Sequence, residues 1–537
     1  MKHGTISFIK KLYFEITMTD NVHENCGVAA VHIPDGSKFQ GMAPNFLYKL
    51  LMNLQGRGQL SAGITTYNPL RPRLLETHRD LGLVTEVFKE SNPDEQLKIF
   101  KSLAGNTGIG HTRYATCGAD DRDNAQPLER THGRRWKWFS FCFNGNIANY
   151  SDLKKPLVEK ADYHIMFDND TEIMMHYLSR ELQAKSRPDM KEVFSSLAKK
   201  FDGAFNIAFI NARGTLIVLR DPIGFRPMCY GHYEDVLLVS SESNALANFG
   251  VTDIKYLQPG EVLQVLEGKI AIKQLVPSKK QARCMFEWVY FSNVASHFDG
   301  KSVYLARTKL GEELAKLETL PINTNEYVVV PVPDSAKPAG DAYAYALGLP
   351  SREGLIRNRF AGRTFIEGRS REDKVRNKFT VQKNIIEGKK VLLVDDSIVR
   401  GTTTRNIVKY LKEVGKAKEV HIRVSCPPIV APCFYGIDMS TITELFAPRF
   451  KIDPKKPIEK TVLDRMAKEL GADSLIYQTI PGLARSISFP QEKLCMACLN
   501  TDYPTKQGNL LYGTALKNAM NGQKGRTYEK DKDKGSC

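Results

Sequence analysis

Two things are scarce in this 537-residue chain: cysteine and long apolar runs. Ten cysteines over that length are too few for a disulfide-stapled scaffold. One pair, Cys495 and Cys498, has the C-x-x-C spacing of metal or redox ligands. No apolar stretch reaches the roughly 20 residues that a bilayer-crossing helix needs, so no membrane contact is expected. The short apolar run at residues 6–14 is split by Lys10 and Lys11 and followed by Glu15, which argues against an export signal and for a cytoplasmic protein. Internal repeats are missing, and so is any homeodomain, finger or RNP pattern. The net charge of +16 is therefore assigned to attraction for small phosphorylated anions, with no nucleic-acid partner. A hydrophobic content of 42% with 25% charged residues is that of an ordinary globular protein.

What is present is most concentrated at residues 391–404. Val391-Leu392-Leu393-Val394 reads as a short buried strand of a parallel sheet. Asp395 and Asp396 stand where it leaves the sheet. Residues 397–404 then offer hydroxyls, small side chains, Gly401 and backbone N–H groups just ahead of a helix. That helix puts Ile407, Val408, Leu411 and Val414 on one face and stops at Gly415. Such a loop cradles an anion at a helix N-terminus, while two carboxylates can hold sugar hydroxyls or Mg²⁺. A sugar phosphate with free ribose hydroxyls fits both halves. Strand-like runs at 327–332, 391–394 and 420–424, separated by helix-length segments, predict β-α-β units. The ligand then lies beyond the carboxyl ends of the strands, where Pro333-Asp334-Ser335 also sits.

Ahead of residue 278 the pattern differs. Residues 204–210, the turn 211–214 and the return 215–219 read as a hairpin, and Ile173, Met174, Tyr177 and Leu178 share one side of a helix over 172–182. Strands with flanking helices predict a layered α+β domain. Cys26-Gly27-Val28-Ala29-Ala30-Val31 is, by periodicity, a buried strand with a packed cysteine at its edge. Taken singly, Arg113 is a surface charge, Asn144-Gly145 a turn and Asp170 a helix cap.

Together, Cys26, Gly110-His111-Thr112-Arg113-Tyr114-Ala115-Thr116, Asn144-Gly145-Asn146 and Asp170-Thr171-Glu172 resemble the class II glutamine amidotransferases. Residues 391–404 resemble the 5-phosphoribosyl-1-pyrophosphate (PRPP) loop of type I phosphoribosyltransferases. Joined in this order, from Cys26 to about Thr505, the two resemble the amidophosphoribosyltransferase (glutamine PRPP amidotransferase) family, in its iron–sulfur branch.

The resemblance implies an α+β N-terminal-nucleophile domain, a layered sheet sandwich over 26–278, followed by an α/β parallel-sheet phosphoribosyltransferase domain over 279–510 that includes the iron–sulfur ligands. A leader, 1–25, precedes them, and a polar, disordered tail, 511–537, follows. The implied reaction takes PRPP, glutamine and water to 5-phosphoribosylamine, glutamate and pyrophosphate, the first step of de novo purine biosynthesis. Cys26 is the implied nucleophile, freed by cleavage after Asn25 of a leader that begins at Met1 or Met18. Its α-amine, with a reference pKa near 8, suits the role of base. Asn144 and Gly145 match the oxyanion hole; Arg113, Asp170 and Arg57, in Gln55-Gly56-Arg57-Gly58-Gln59, match glutamine-binding positions. PRPP falls to Asp395, Asp396, Ser397, Arg400, Gly401, Thr402 and Thr403, and Mg²⁺ to Ser335, Asp395 and Asp396. Segments 358–366 and 371–378 resemble those that close over pyrophosphate. Cys284, Cys433, Cys495 and Cys498 match the ligands of a structural 4Fe-4S cluster, for which zinc is the rival on spacing alone. Purine nucleotides as feedback inhibitors and a homotetramer are also implied. Family positions differ at Gly56, Ala295 and Ala336. Two other readings make different predictions: a paralogue with another phosphorylated acceptor gives no PRPP stimulation, and a nucleotide-sensing relative gives no turnover.

Overall fold

The computed structural model describes residues 26–114, 122–167, 169–184, 186–278, 280–358, 378–439 and 441–522. The leader, the last part of the tail and nearly all of the two pyrophosphate segments lie outside the described residues. The described chain forms two compact units: 26–309 with 431–442 and 480–522, and 310–430 with 443–479.

The first unit is built on two antiparallel sheets. One has the order β11-β9-β10-β1-β4-β2-β3, from β1 (Gly27–His32), β2 (Ser61–Tyr67), β3 (Leu75–Leu81), β4 (Thr107–Arg113), β9 (Cys229–Tyr233), β10 (Val236–Ser240) and β11 (Lys255–Tyr256). The other has the order β13-β12-β8-β7-β6-β5, from β5 (Leu128–Arg130), β6 (Phe139–Ile147), β7 (Gly203–Asn211), β8 (Leu216–Leu219), β12 (Glu261–Leu266) and β13 (Lys269–Gln274). Alternation along each strand sorts side chains between two cores. Val28 and Ala30 of β1 pack with Cys142, Ala208, Ile210 and Val218 of the facing sheet. Ala29 and Val31 pack instead with Leu47, Leu50 and Leu51 of the helix Ala43–Asn53. On the far side Phe139, Phe141 and Phe143 meet Ile173, Met174 and Leu178 of the helix Asp170–Glu181, and Phe194 and Leu197 of the helix Met190–Lys200. The result is the expected sandwich, with helices outside both sheets.

Two small pairings complete this unit: β14 (Arg283–Cys284) runs parallel to β23 (Leu494–Cys495), and β15 (His297–Phe298) pairs antiparallel with β16 (Lys301–Ser302). The compact units divide differently from the boundary expected after residue 278. Residues 280–309 stay with the first unit, and so do 431–442 and 480–522, because their cysteine-bearing turns pack on it. The tail also begins later than residue 511. The helix Lys506–Met520 buries Leu511 and Ala515, a one-turn apolar spacing, and Thr505 caps it by accepting the Gly508 N–H at 3.1 Å.

The second unit holds a parallel sheet, order β17-β20-β21-β22, from β17 (Tyr327–Pro331), β20 (Lys390–Asp395), β21 (Glu419–Val424) and β22 (Ser474–Tyr477). A short antiparallel pair, β18 (Leu355–Arg357) with β19 (Phe379–Val381), stands apart. Val329, Leu392 and Val394 of the parallel sheet form a core with Leu314, Tyr343 and Ala344. Arg423 of β21 is fully buried and donates to both Glu318 carboxylate oxygens, at 2.6 and 2.9 Å. Burial works against the Glu318 charge, but that guanidinium holds its pKa down to about 2.

Candidate active sites

Cys26 stands immediately before β1, half-buried, with Sγ 4.0 Å from the Tyr114 carbonyl oxygen. The register sets Gly27 against Thr112 of β4. A Cβ at Gly27 would lie 2.6 Å from Thr112 Oγ1, so only glycine lets the strands close here. Strand β4 delivers Arg113, whose carbonyl accepts the Leu60 N–H at 3.0 Å. His111, one turn of the pleat away, joins the two sheets through Nε2 and the Phe143 carbonyl oxygen at 3.1 Å. Burial pushes its pKa down to about 3, too weak a base to take a thiol proton at neutral pH.

Strand β6 supplies the rest. At Gly145 φ is +146°, and a Cβ there would lie 1.9 Å from the Ala204 carbonyl oxygen of β7. Asn144 is 2% exposed, and its Nδ2 has no hydrogen-bond partner among the described residues. A buried unpaired donor costs about 1–3 kcal/mol; it is tolerated where negative charge develops during a reaction. Asn144→Ala is expected to lower kcat for glutamine hydrolysis by about 10²–10³ with KM little changed, read in a glutamate-release assay.

Asp170 opens its helix behind the Asn169 cap, which accepts the Glu172 N–H at 2.8 Å. Its Oδ2 accepts the Ile147 N–H at 3.2 Å. Burial raises its pKa to about 6, against the pull of backbone N–H groups and of nearby Arg113. An ionised Asp170 and Arg113 form a pair of opposite charges suited to the ammonium and carboxylate of an amino acid. Protonation removes the negative partner, so KM for glutamine is expected to rise about tenfold per pH unit below about pH 6. A KM profile that stays flat from pH 7 to pH 5 would contradict this.

Arg57, expected at the glutamine site, sits in a buried ion-pair network. Its guanidinium is buried and spent on Glu242 through Nε, on Glu287 through Nη2 at 2.6 Å and on Ser292 at 3.2 Å. These contacts make it a core ion-pair residue that braces its loop. A Cβ at neighbouring Gly58 would lie 2.6 Å from the Arg113 backbone, so the loop still sits directly against the glutamine-site strand. At Gly56 nothing among the described residues lies within 4 Å of an added Cβ, so a Cβ is sterically allowed there.

In the second unit, Asp395 ends β20 and Asp396 begins the loop, each 7% exposed. Ser335 Oγ donates to Asp396 Oδ2, Ser397 Oγ donates to its Oδ1 at 2.7 Å, and the Asp396 N–H donates to Asp395 Oδ1 at 3.0 Å. The loop after β20 and the residues following β17 are thus joined, as the sequence predicts. Burial, then the adjacent Asp396, push the Asp395 pKa well above the carboxylate range, with Lys378 opposing. Two crowded carboxylates of this kind invite a cation or sugar hydroxyls. Gly401, at φ +81°, turns the chain into the helix Thr402–Glu413, and a Cβ there would meet the Phe446 ring at 2.9 Å. The N–H groups of the first helical turn, Thr402 and Thr403 among them, have no acceptor within the helix and can serve an anion. Arg400 is turned to Glu444, at 3.0 and 3.3 Å, so contact with a ligand in the loop would require it to exchange that partner. Val414, expected on the buried face, is 38% exposed, because the helix ends at Glu413.

Back in the first unit, the four expected cysteine ligands line one cavity together with Phe225, Arg226 and Tyr435. The β14–β23 register sets Cys284 against Cys495, and Cys498 lies on the helix Ala497–Asn500. The Cys433 Sγ accepts the Tyr435 N–H at 3.4 Å. Burial pushes Cys284 up to about 12 and Cys495 well above the usual thiol range, so a bound cation is needed to make them thiolates. Among the described residues no three metal-ligating side chains are grouped to hold a single ion. A four-iron cube takes each thiolate at a different corner, so its ligands stand farther apart than those of one zinc ion. Four thiols on one cavity are a donor set that a cluster or zinc could take. Arg226 was invisible in this role from sequence; its only signal is a charge between Phe225 and Pro227 in an apolar turn.

Known proteins match this chain over most of its length. A glutamine amidotransferase domain model matches residues 111–248 and a phosphoribosyl transferase domain model matches 304–431. The amidophosphoribosyltransferase of Methanothermobacter thermautotrophicus is 37% identical, covering 90% of this chain and 95% of that protein. A chloroplastic amidophosphoribosyltransferase of Arabidopsis thaliana is 36% identical, covering 90% and 79%. Among solved structures, the glutamine PRPP amidotransferase of B. subtilis complexed with ADP and GMP is 34% identical, with a TM-score of 0.77 over 90% of this chain and 98% of that one. The chain belongs to the amidophosphoribosyltransferase family, glycosyltransferases with glutamine amidotransferase activity that make 5-phosphoribosylamine from PRPP and glutamine in purine biosynthesis.

Proposed function

We propose that this reaction runs on the residues named above, in a chain whose leader, 1–25, has been removed. The observation that carries the reading is the buried, unpartnered Asn144 Nδ2 on the strand that also anchors Asp170. Arg113 pairs with the glutamine α-carboxylate by a forked contact and Asp170 with its ammonium. The freed α-amine of Cys26 takes the thiol proton, and the thiolate attacks the side-chain amide carbon. Asn144 and Gly145 stabilise the tetrahedral oxygen. Ammonia leaves with that proton, and water then releases glutamate from the thioester.

In the second unit the Asp395 and Asp396 carboxylates and Ser335 hold the ribose hydroxyls or Mg²⁺, and the loop 397–403 holds the 5-phosphate. Mg²⁺, which the family uses with PRPP, would neutralise charge on the departing pyrophosphate. Ammonia adds at C1 as the C1–O bond to pyrophosphate breaks. Cys284, Cys433, Cys495 and Cys498 would hold a 4Fe-4S cluster whose part is structural, crosslinking three distant stretches of chain.

The B. subtilis structure with ADP and GMP supports purine nucleotides as feedback inhibitors. A cytoplasmic homotetramer is the corresponding assembly, read by light scattering. Mass spectrometry of active enzyme tests the central step: the chain should begin at Cys26. Full activity with Asn25 still attached would rule out the α-amine as base.

A further inference from the structure

Arg226 is 1% exposed and lines the same cavity as the four cysteines. Its Nη1 donates to Glu287 Oε1 at 3.2 Å and its Nη2 to the Tyr435 carbonyl oxygen at 3.1 Å. Its Nε has no partner among the described residues. Those two contacts fix the plane of the guanidinium, and Glu287 is itself anchored by Arg57 and by Ser292 at 2.6 Å. A buried N–H left unpaired in so rigid a setting is costly, and the glutamine chemistry does not use it. Burial opposes the charge on Arg226, while the nearby Cys284 and Cys433 sulfurs and Glu287 favour it.

Four thiolates around a four-iron cube carry net negative charge into this apolar cavity. We propose that Arg226 donates its Nε–H to a sulfur of the bound cluster and so acts as the positioning residue that holds the cluster and its charge. The inference rests on the cluster reading given above. Hydrogen bonds to cluster sulfurs stabilise the more negative, reduced form and raise the reduction potential.

The test uses full-length protein purified anaerobically, as wild type, Arg226→Met and Arg226→Lys. Iron and sulfide per chain, the rate of cluster loss to a chelator and the EPR-monitored reduction potential are measured. Arg226→Met is expected to lose cluster about tenfold faster and to reduce at a more negative potential. Arg226→Lys keeps the charge but has no Nε–H, and falls between the two in rate. A purely structural role would change thermal stability without moving the potential. Should Arg226→Met fail to fold, Arg226→Lys decides: wild-type loss rate and potential in that variant overturn the proposal. Wild-type protein without iron and sulfide would instead overturn the cluster reading, before any substitution is compared.

Discussion

Cys26→Ala is expected to abolish glutamine-driven formation of phosphoribosylamine and to leave formation from added ammonia at high pH. The nucleophile supplies the covalent step, and loss of such a group costs on the order of 10⁶ in kcat. The phosphoribosyl site stands on a separate compact unit with its own sheet and core, so removing a thiol from the first unit leaves it intact. Raised pH is needed because free ammonia is mostly ammonium near neutrality, and ammonium has no lone pair. Parallel assays with glutamine and with ammonium chloride at pH 8.5–9 read the result. Equal loss of both activities would mean that Cys26 serves the fold and not the chemistry.

Asp396→Asn is expected to produce the opposite separation. Asp396 accepts from Ser335 and Ser397 and is buried beside Asp395, so its charge is committed to whatever cation or hydroxyls enter the loop. The amide keeps the shape and one acceptor but removes the negative charge. PRPP-dependent turnover is expected to fall by about 10³, a loss of about 4 kcal/mol at the transition state. Basal glutamine hydrolysis should persist, since the first unit holds every residue assigned to it. Loss of both would contradict the division of labour between the units.

The PRPP loop was the most legible part of the chain, because its signals are local. Val391 to Val394 are apolar, the acids follow at once, and Gly401 precedes a periodic helix. The structure adds only what lies far away, such as the Glu444 partner of Arg400 and Phe446 against Gly401. The glutamine site was legible as a set of motifs but not as a place. Cys26, Arg113, Asn144 and Asp170 come together through the antiparallel order β10-β1-β4 and the facing strand β6, which no spacing reveals.

Arg57 shows what such reading cannot see. Its partners Glu242 and Glu287 are 185 and 230 residues away, so no local signal reveals the buried ion pairs that hold it. For the cysteines the set was legible, but not the unit to which it belongs. Their identity as a set came from family resemblance, but the return of 431–442 and 480–522 to the first unit is a tertiary event. Long-range pairing of this kind leaves no periodic trace in sequence.

The central claim is that nitrogen released at Cys26 ends on the sugar held by Asp395 and Asp396. Processed, anaerobically purified protein given glutamine, PRPP and Mg²⁺ should release glutamate and pyrophosphate in a 1:1 ratio, with glutamate formation stimulated by PRPP. Glutamate without pyrophosphate, at a rate indifferent to PRPP, would contradict the account.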